Sequence, residues 1–196
     1  MSPESASFDK RNEDAKKASK QVEDFLRSCT KVMDVKNVED SRKYQAKDID
    51  LLCILEVGDN ERTVSIEIKG DTKAHQTGNF FLETVSNKAL GTQGCFLKSQ
   101  AHLLFYYLLA TDRLYIFPMR KMQTWFRGIQ KQMSAGSRKR TYTVDAGGRY
   151  QHTTLGQCVN IEYTKRCLEK ENIPFREIEE MGKWRCTLTD FCLEDI

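Results

Sequence analysis

Glu67 and Lys69 stand two residues apart near the end of the run Thr63-Val64-Ser65-Ile66-Glu67-Ile68-Lys69. Asp50 opens an earlier run, Ile49-Asp50-Leu51-Leu52-Cys53-Ile54-Leu55-Glu56-Val57. Side chains of an extended strand alternate between its faces, so Glu67 and Lys69 share one face while Val64, Ile66 and Ile68 take the other. With Asp50 able to approach across a strand pair, three charges converge at one edge of an apolar sheet. Carboxylate oxygens are the donors that hard divalent cations select, and an ammonium beside them offsets negative charge on a reacting oxygen.

The elements that must position these groups follow from residue type. Both runs are rich in β-branched and aliphatic residues, and Gly58-Asp59-Asn60-Glu61-Arg62 between them is a turn signal, which predicts a hairpin. Asp48 and Asp50 compete for the place beside Glu67. In an extended strand both would face the same side. Asp50 is favoured because Leu51 and Leu52 follow it at the mouth of the buried strand, and Asp48 is the fallback.

An Asp opening one strand and Glu-x-Lys ending the next resembles the core of the PD-(D/E)XK nuclease superfamily, the restriction-endonuclease-like fold. Asp50 and Glu67-Ile68-Lys69 carry the resemblance, which spans a core of about residues 10–120. It implies an α/β domain with a mixed central sheet of about five strands flanked by helices. The implied activity is that of a Mg²⁺-dependent deoxyribonuclease, with endonucleolytic action preferred and exonucleolytic action left open. Asp50, Glu67 and the backbone carbonyl of Ile68 would hold Mg²⁺, with Mn²⁺ as a substitute, and Lys69 would orient the attacking water and offset charge in the transition state. The superfamily also places an acid of its first helix at the metal, for which Glu23 is nearest the apolar face. The stretch Gly78-Asn79-Phe80-Phe81-Leu82-Glu83 is similar to one in which the last acid lies beside the centre, so Glu83 is a further candidate. The helical Gln-x-x-x-Tyr motif of another subgroup is missing, since Leu104 stands four residues after Gln100.

Nucleic-acid contacts are expected at two places. The glycine-bearing stretch 86–99 ends in Phe96-Leu97-Lys98-Ser99, where Lys98 and Ser99 could approach phosphates. It lacks the Gly-Lys-Ser/Thr order of a Walker loop, so no nucleotide cofactor is expected. Between Met119 and Tyr150 stand Arg120, Lys121, Arg127, Lys131, Arg138, Lys139, Arg140 and Arg149 against the single acid Asp145. Such a block suits a DNA backbone; a solvated helix face and loop is the alternative.

Periodicity supplies the remaining elements. Residues 9–28, with Ala15, Ala18, Val22, Phe25, Leu26 and Cys29 at helical spacing, predict an amphipathic helix. Lys31 to Val35 reads as a short strand, 70–79 as a polar loop, 80–85 as a strand, and 101–109 with 114–118 as buried strands that close the core. His102 is expected as a satisfied core histidine, and with only His75 and His152 besides it a histidine zinc site is not expected. Residues 119–133 predict a second amphipathic helix whose Met122, Trp125, Phe126 and Ile129 stripe faces the core. A basic loop over 134–140, a turn at Gly147-Gly148, a helix over 162–171 and a last strand over 184–191 follow.

The 196 residues suit one domain, or a core over 1–135 with an extension over 136–196 packed on it. That extension would cover the sheet or form a homodimer contact. Seven scattered cysteines without a Cys-x-x-Cys pair argue against zinc ribbons, disulfide frameworks and an iron–sulfur cluster. There is no apolar run of transmembrane length, and Met1-Ser2-Pro3-Glu4-Ser5 lacks the features of a secretory signal. The expectation is an intracellular protein, cytoplasmic or nucleoid-associated, with no membrane partner. Two other classes stay open: a nuclease-like domain that binds nucleic acid without cutting it, and a module whose basic loop recognises an acidic protein.

Overall fold

The first helix sets one face of the molecule. In the computed structural model, which describes residues 3–133, 136, 138–144 and 150–183, with side chains at 13–133, 136, 139 and 153–183, α1 (Pro3–Ser28) begins earlier than its apolar spacing suggests. Pro3 suits a first helical position, where its missing N–H is not needed. Ala18, Val22, Phe25, Leu26 and Cys29 are buried as expected, while Ala15 is exposed. α1 lies on a sheet built from β1 (Val32–Asn37), β2 (Leu51–Val57), β3 (Asn60–Asp71), β6 (Leu103–Leu108), β7 (Arg113–Pro118) and β10 (Arg176–Ile178), in the order β1-β2-β3-β6-β7-β10. The β3–β6 pair is parallel and every other pair in this sheet is antiparallel, so the central sheet is mixed. It has six strands rather than five, because the three-residue β10 adds to the outer side of β7.

The hairpin forms as expected, with Leu51 opposite Ile66 and Val57 opposite Asn60. Leu51, Cys53, Leu55, Val64 and Ile66 turn toward α1 and bury there with Leu103, Phe105 and Tyr107. Close approach of α1 requires a glycine: a Cβ at Gly70 would stand 2.7 Å from that of Ala18.

The opposite face of the central sheet is covered by a second sheet, of order β5-β4-β9-β8, formed by β4 (Asn79–Asn87), β5 (Thr92–Gln93), β8 (Arg138–Val144) and β9 (Tyr150–Asn160). Phe80 of β4 seals the contact, its ring edge-on to Tyr106, Tyr115 and Phe117 at 4.8, 5.0 and 5.6 Å. Leu82 and Val159 join this second core, with Met122 and Phe126 of α5 (Met119–Gln130) and Leu168 of α6 (Ile161–Lys170). The molecule is thus a mixed α/β fold whose central mixed sheet is flanked by helices, with β strands as well on one side.

Several expectations are corrected. Residues 138–140 do not form a loop: Arg138–Val144 is a strand, and the run of β-branched and aromatic residues Thr141-Tyr142-Thr143-Val144 explains why. β9, to which it pairs, was not anticipated at all. β9 also pairs with β4, so strands from either side of residue 135 share one sheet. The stretch 86–99 holds β5 and a helical turn, α4 (Cys95–Lys98), the loop after β3 contains another turn, α3 (Ala74–Thr77), and a turn before β2 forms α2 (Arg42–Gln45). Gly147-Gly148 and the expected strand over 184–191 lie outside the described residues. Among the described residues no helix is long and apolar enough to cross a membrane.

Candidate active site

The edge of the hairpin brings Asp50 and Glu67 together. Asp50 immediately precedes β2, and its backbone N–H donates to Ile66 O at 2.9 Å, which continues the ladder by one residue. Since Leu51 faces α1, Asp50 faces the other side, and so does Glu67. Asp50 Oδ2 accepts from Ile68 N at 2.7 Å, so the carboxylate takes up the N–H that β2 no longer reaches. Ser65 and Asp71 turn their carbonyls to His102 N and Leu109 N on the β6 side. By alternation Ile68 turns both its N–H and its C=O toward Asp50.

Glu67 is 8% exposed, and its Oε2 is buried without a hydrogen-bond partner. Burial raises the Glu67 carboxyl well above its usual range, and the charges of Asp50 and Asp48 add to the rise, against a smaller opposing pull from Lys69. Asp50 is pushed up to about 6, first by burial and then by Glu39 and Asp48, while the Ile68 N–H and a hydrogen bond to Glu67 pull it back. Both carboxyls therefore hold their protons more tightly than free carboxyls do. A divalent cation meets what such a pair lacks: positive charge against two crowded carboxylates, and a partner for an orphaned oxygen. Asp50, Glu67 and the Ile68 carbonyl are an all-oxygen donor set that suits Mg²⁺ or Mn²⁺. Among the described residues no cluster of three or more His, Cys, Asp and Glu side chains forms a metal site, so a site here rests on two carboxylates and the main chain.

Lys69 leaves β3 on the same face as Glu67, as the alternation predicts, and lines a small internal space with Glu67, Glu83, Cys95 and Tyr106. Burial lowers the ammonium, but the carboxylates of Glu83, Asp71 and Glu67 raise it, and the net direction is upward. Lys69 thus stays charged. Its Nζ lies 6.0 Å from the Phe81 ring centroid, a cation–π contact. Cys95 is pushed up to about 12, chiefly by burial, and sits there as a neutral thiol.

Glu83 reaches this space from β4 and its Oε1 accepts from Cys95 N at 3.3 Å. That bond depends on Gly94, where a Cβ would lie 2.7 Å from the Glu83 carbonyl. Glu23 does not join: α1 packs on the other face of the sheet, and Glu23 Oε1 accepts from Arg27 Nη2 at 2.9 Å. Asp48 does not extend the strand either. Its φ of 47° breaks the alternation, and its Oδ2 lies 3.1 Å from Lys98 Nζ, an ion pair without hydrogen-bond alignment. Lys98 is thereby turned to a carboxylate. Ser99 is 5% exposed, and its Oγ donates to Asp48 O and accepts from Ala101 N, so it braces the loop and is not available to a phosphate. His102 is exposed rather than buried in the core, and its Nδ1 lies 2.9 Å from the Ser65 N–H that donates to it.

Two positioning devices were not legible in the sequence. Buried Gln123 of α5 donates from Nε2 to Phe96 O and Ser99 O, 2.9 Å each, and so holds both ends of α4. Tyr106 OH donates to Asp71 Oδ2 at 2.5 Å and accepts from Phe81 N at 2.9 Å, which ties the end of β3 to β4. Gln123→Ala should destabilise by about 2 kcal/mol, since buried carbonyls lose a donor; urea unfolding measures it, and a change under 0.5 kcal/mol would deny Gln123 this role.

Of the basic block, Arg120 is exposed and Lys121 partly buried on α5, and Lys139 is exposed on β8. The side chains of Arg138 and Arg140 lie outside the described residues, as does Arg149. The chain matches no family model, no curated protein and no solved structure.

The raised carboxyls make a pH prediction. An acid whose folded value exceeds its unfolded value adds stability below the unfolded value, and that stability is lost as pH rises through the folded value. For Asp50 the window runs from about 4 to somewhat above 6, and the loss is roughly 3 kcal/mol. Metal-free protein should therefore be less stable at pH 7.5 than at pH 5. Asp50→Asn should flatten the profile, as denaturant titrations at several pH values would reveal. Parallel profiles for parent and variant would contradict the assignment.

Proposed function

We propose that this protein is a metal-dependent nuclease of the restriction-endonuclease-like fold that hydrolyses DNA phosphodiesters. The observation that carries this reading is the pair of half-buried Asp50 and buried Glu67, charge-crowded and with Glu67 Oε2 unpartnered, beside an ammonium kept charged two residues on. Asp50, Glu67 and the Ile68 carbonyl would hold Mg²⁺, with Mn²⁺ as substitute. Bound there, the cation would supply Lewis acidity toward the phosphoryl oxygen and lower the pKa of water. The chain's own part is orientation and charge. The Ile68 N–H fixes one oxygen of Asp50, a bound cation would favour the ionised form of Glu67, and Lys69 would face the negative charge that builds on the phosphoryl group in the transition state. Glu83 lies beside Lys69 and contributes by holding it charged.

The basic block would hold the DNA. Replacing Arg138, Lys139 and Arg140 together by Ala should reduce the slope of log affinity against log salt by up to about three, nearly independently of sequence. An unchanged slope in fluorescence anisotropy would place DNA elsewhere.

A second reading, a nuclease-fold module that binds nucleic acid without cutting it, is favoured by one observation. The space beside Glu67 and Lys69 is about 10 Å³, room for one water. Incubating the protein with linear, circular, single-stranded and four-way-junction DNA and Mg²⁺ separates the two. Cleavage that chelation abolishes supports the nuclease, cut circles identify endonucleolytic action, and binding without any cleavage supports the silent module.

A further inference from the structure

A groove opens between α5 and α6, away from the carboxylates but tied to them. The backbone bonds Asp50 N to Ile66 O, His102 N to Ser65 O and Met119 N to His102 O cross the central sheet at one level. They carry the start of α5, and so Arg120 and Lys121 at the mouth of the groove, to the end of the sheet where Asp50 and Glu67 meet. Arg120, Lys121 and Lys170 line the groove against the single acid Glu171. Among the described residues neither Arg120 nor Lys170 enters an ion pair.

The lining is also aromatic. Tyr163 is 45% exposed there, so its ring is accessible from the groove. Trp125 lines the same groove at 3% exposure, and its Nε1 has no hydrogen-bond partner. Gly128 keeps the groove open, since a Cβ there meets nothing within 4 Å. Glycine inside a helix is otherwise unfavourable by about 1 kcal/mol.

We propose that the α5–α6 groove binds a single strand of nucleic acid. Its phosphates lie on Arg120, Lys121 and Lys170, and one base packs on the exposed ring of Tyr163. Cations along a groove with an accessible aromatic face are the features by which unpaired strands are held, because every base has a π-face and a duplex hides it. The choice of a nucleic-acid over an acidic-protein occupant rests on the nuclease reading. The substrate would then carry an unpaired segment next to the bond that is cut.

The test uses the full chain without metal, so that binding is scored apart from cleavage. A fluorescent oligothymidylate of twelve nucleotides is titrated and followed by anisotropy across salt concentrations. The groove should contribute about −2 to the log-log salt slope, from roughly three phosphate contacts on a single strand. Arg120→Ala with Lys170→Ala should remove more than half of that contribution. Tyr163→Ala should weaken binding about tenfold. Gly128→Leu fills the groove without removing a charge. It should weaken binding at least tenfold while thermal stability does not fall. Unchanged affinity in both Gly128→Leu and Tyr163→Ala would overturn the proposal. So would a matching duplex bound as tightly and with the same sensitivity to these variants, or a polyglutamate peptide that displaces the oligonucleotide at equal concentration. If the groove binds as described and Mg²⁺ elicits no cleavage, the nuclease reading fails and the binding site stands.

Discussion

Glu67→Gln should abolish Mg²⁺-dependent cleavage and at the same time make the metal-free protein more stable. The two effects have one cause. Glu67 is held in a place that raises its carboxyl well above the usual range, by burial first and by Asp50 and Asp48 next. Ionising it in the absence of a cation costs folding free energy, because a buried charge beside like charges is poorly compensated. Gln keeps the shape and removes the ionisation, so thermal denaturation with chelator at pH 8 should show a midpoint several degrees above the parent. Cleavage needs the carboxylate and should fall below detection. A variant that is destabilised by more than about 1 kcal/mol, or that cuts at the parent rate, would show that Glu67 has been given the wrong role.

Lys69→Ala should lower the single-turnover cleavage rate by about a hundredfold or more, as expected when one preorganised charge is removed from a transition state. Its effect on metal affinity should be small, since two consequences oppose each other. Without the ammonium Glu67 is harder to ionise, yet an entering cation meets less repulsion. Lys69→Arg should not restore the rate. The space shared with Glu67, Glu83 and Cys95 is tight, and a planar guanidinium cannot take the place of a compact ammonium. A rate for Lys69→Ala within about twofold of the parent at saturating Mg²⁺ would remove Lys69 from the mechanism.

The hairpin was legible because its signals are local. β-branched alternation and a Gly-Asp-Asn turn give strands and register together, and register fixes the shared face of Glu67 and Lys69. Asp48 defeated the same reasoning. A left-handed φ at a non-glycine residue leaves no mark on residue pattern, so the parity that should have put it beside Asp50 was broken and it pairs with Lys98. β9 was illegible for a different reason. Its buried positions include Thr154, Gly156 and Gln157, so neither apolar alternation nor an apolar run announces it. Without β9 the second sheet could not be anticipated, and Arg138 and Lys139 read as a loop. Glu23 was placed by the resemblance alone; its wheel position is no guide to which face of the sheet the helix covers. Gln123 and Ser99 act through backbone carbonyls distant in sequence, contacts that no spacing rule encodes.

The claim on which the rest depends is that Asp50 and Glu67 form a metal site. Calorimetric titration of Mn²⁺ into the parent and into Glu67→Gln, each in two buffers of different ionisation enthalpy at pH 7, tests it most directly. The parent should bind one ion, and the heat should differ between buffers because protons held by the carboxyls are released as the cation enters. Glu67→Gln should bind at least tenfold more weakly and release fewer protons. Equal affinity in the two proteins, or binding without proton release, would contradict the account.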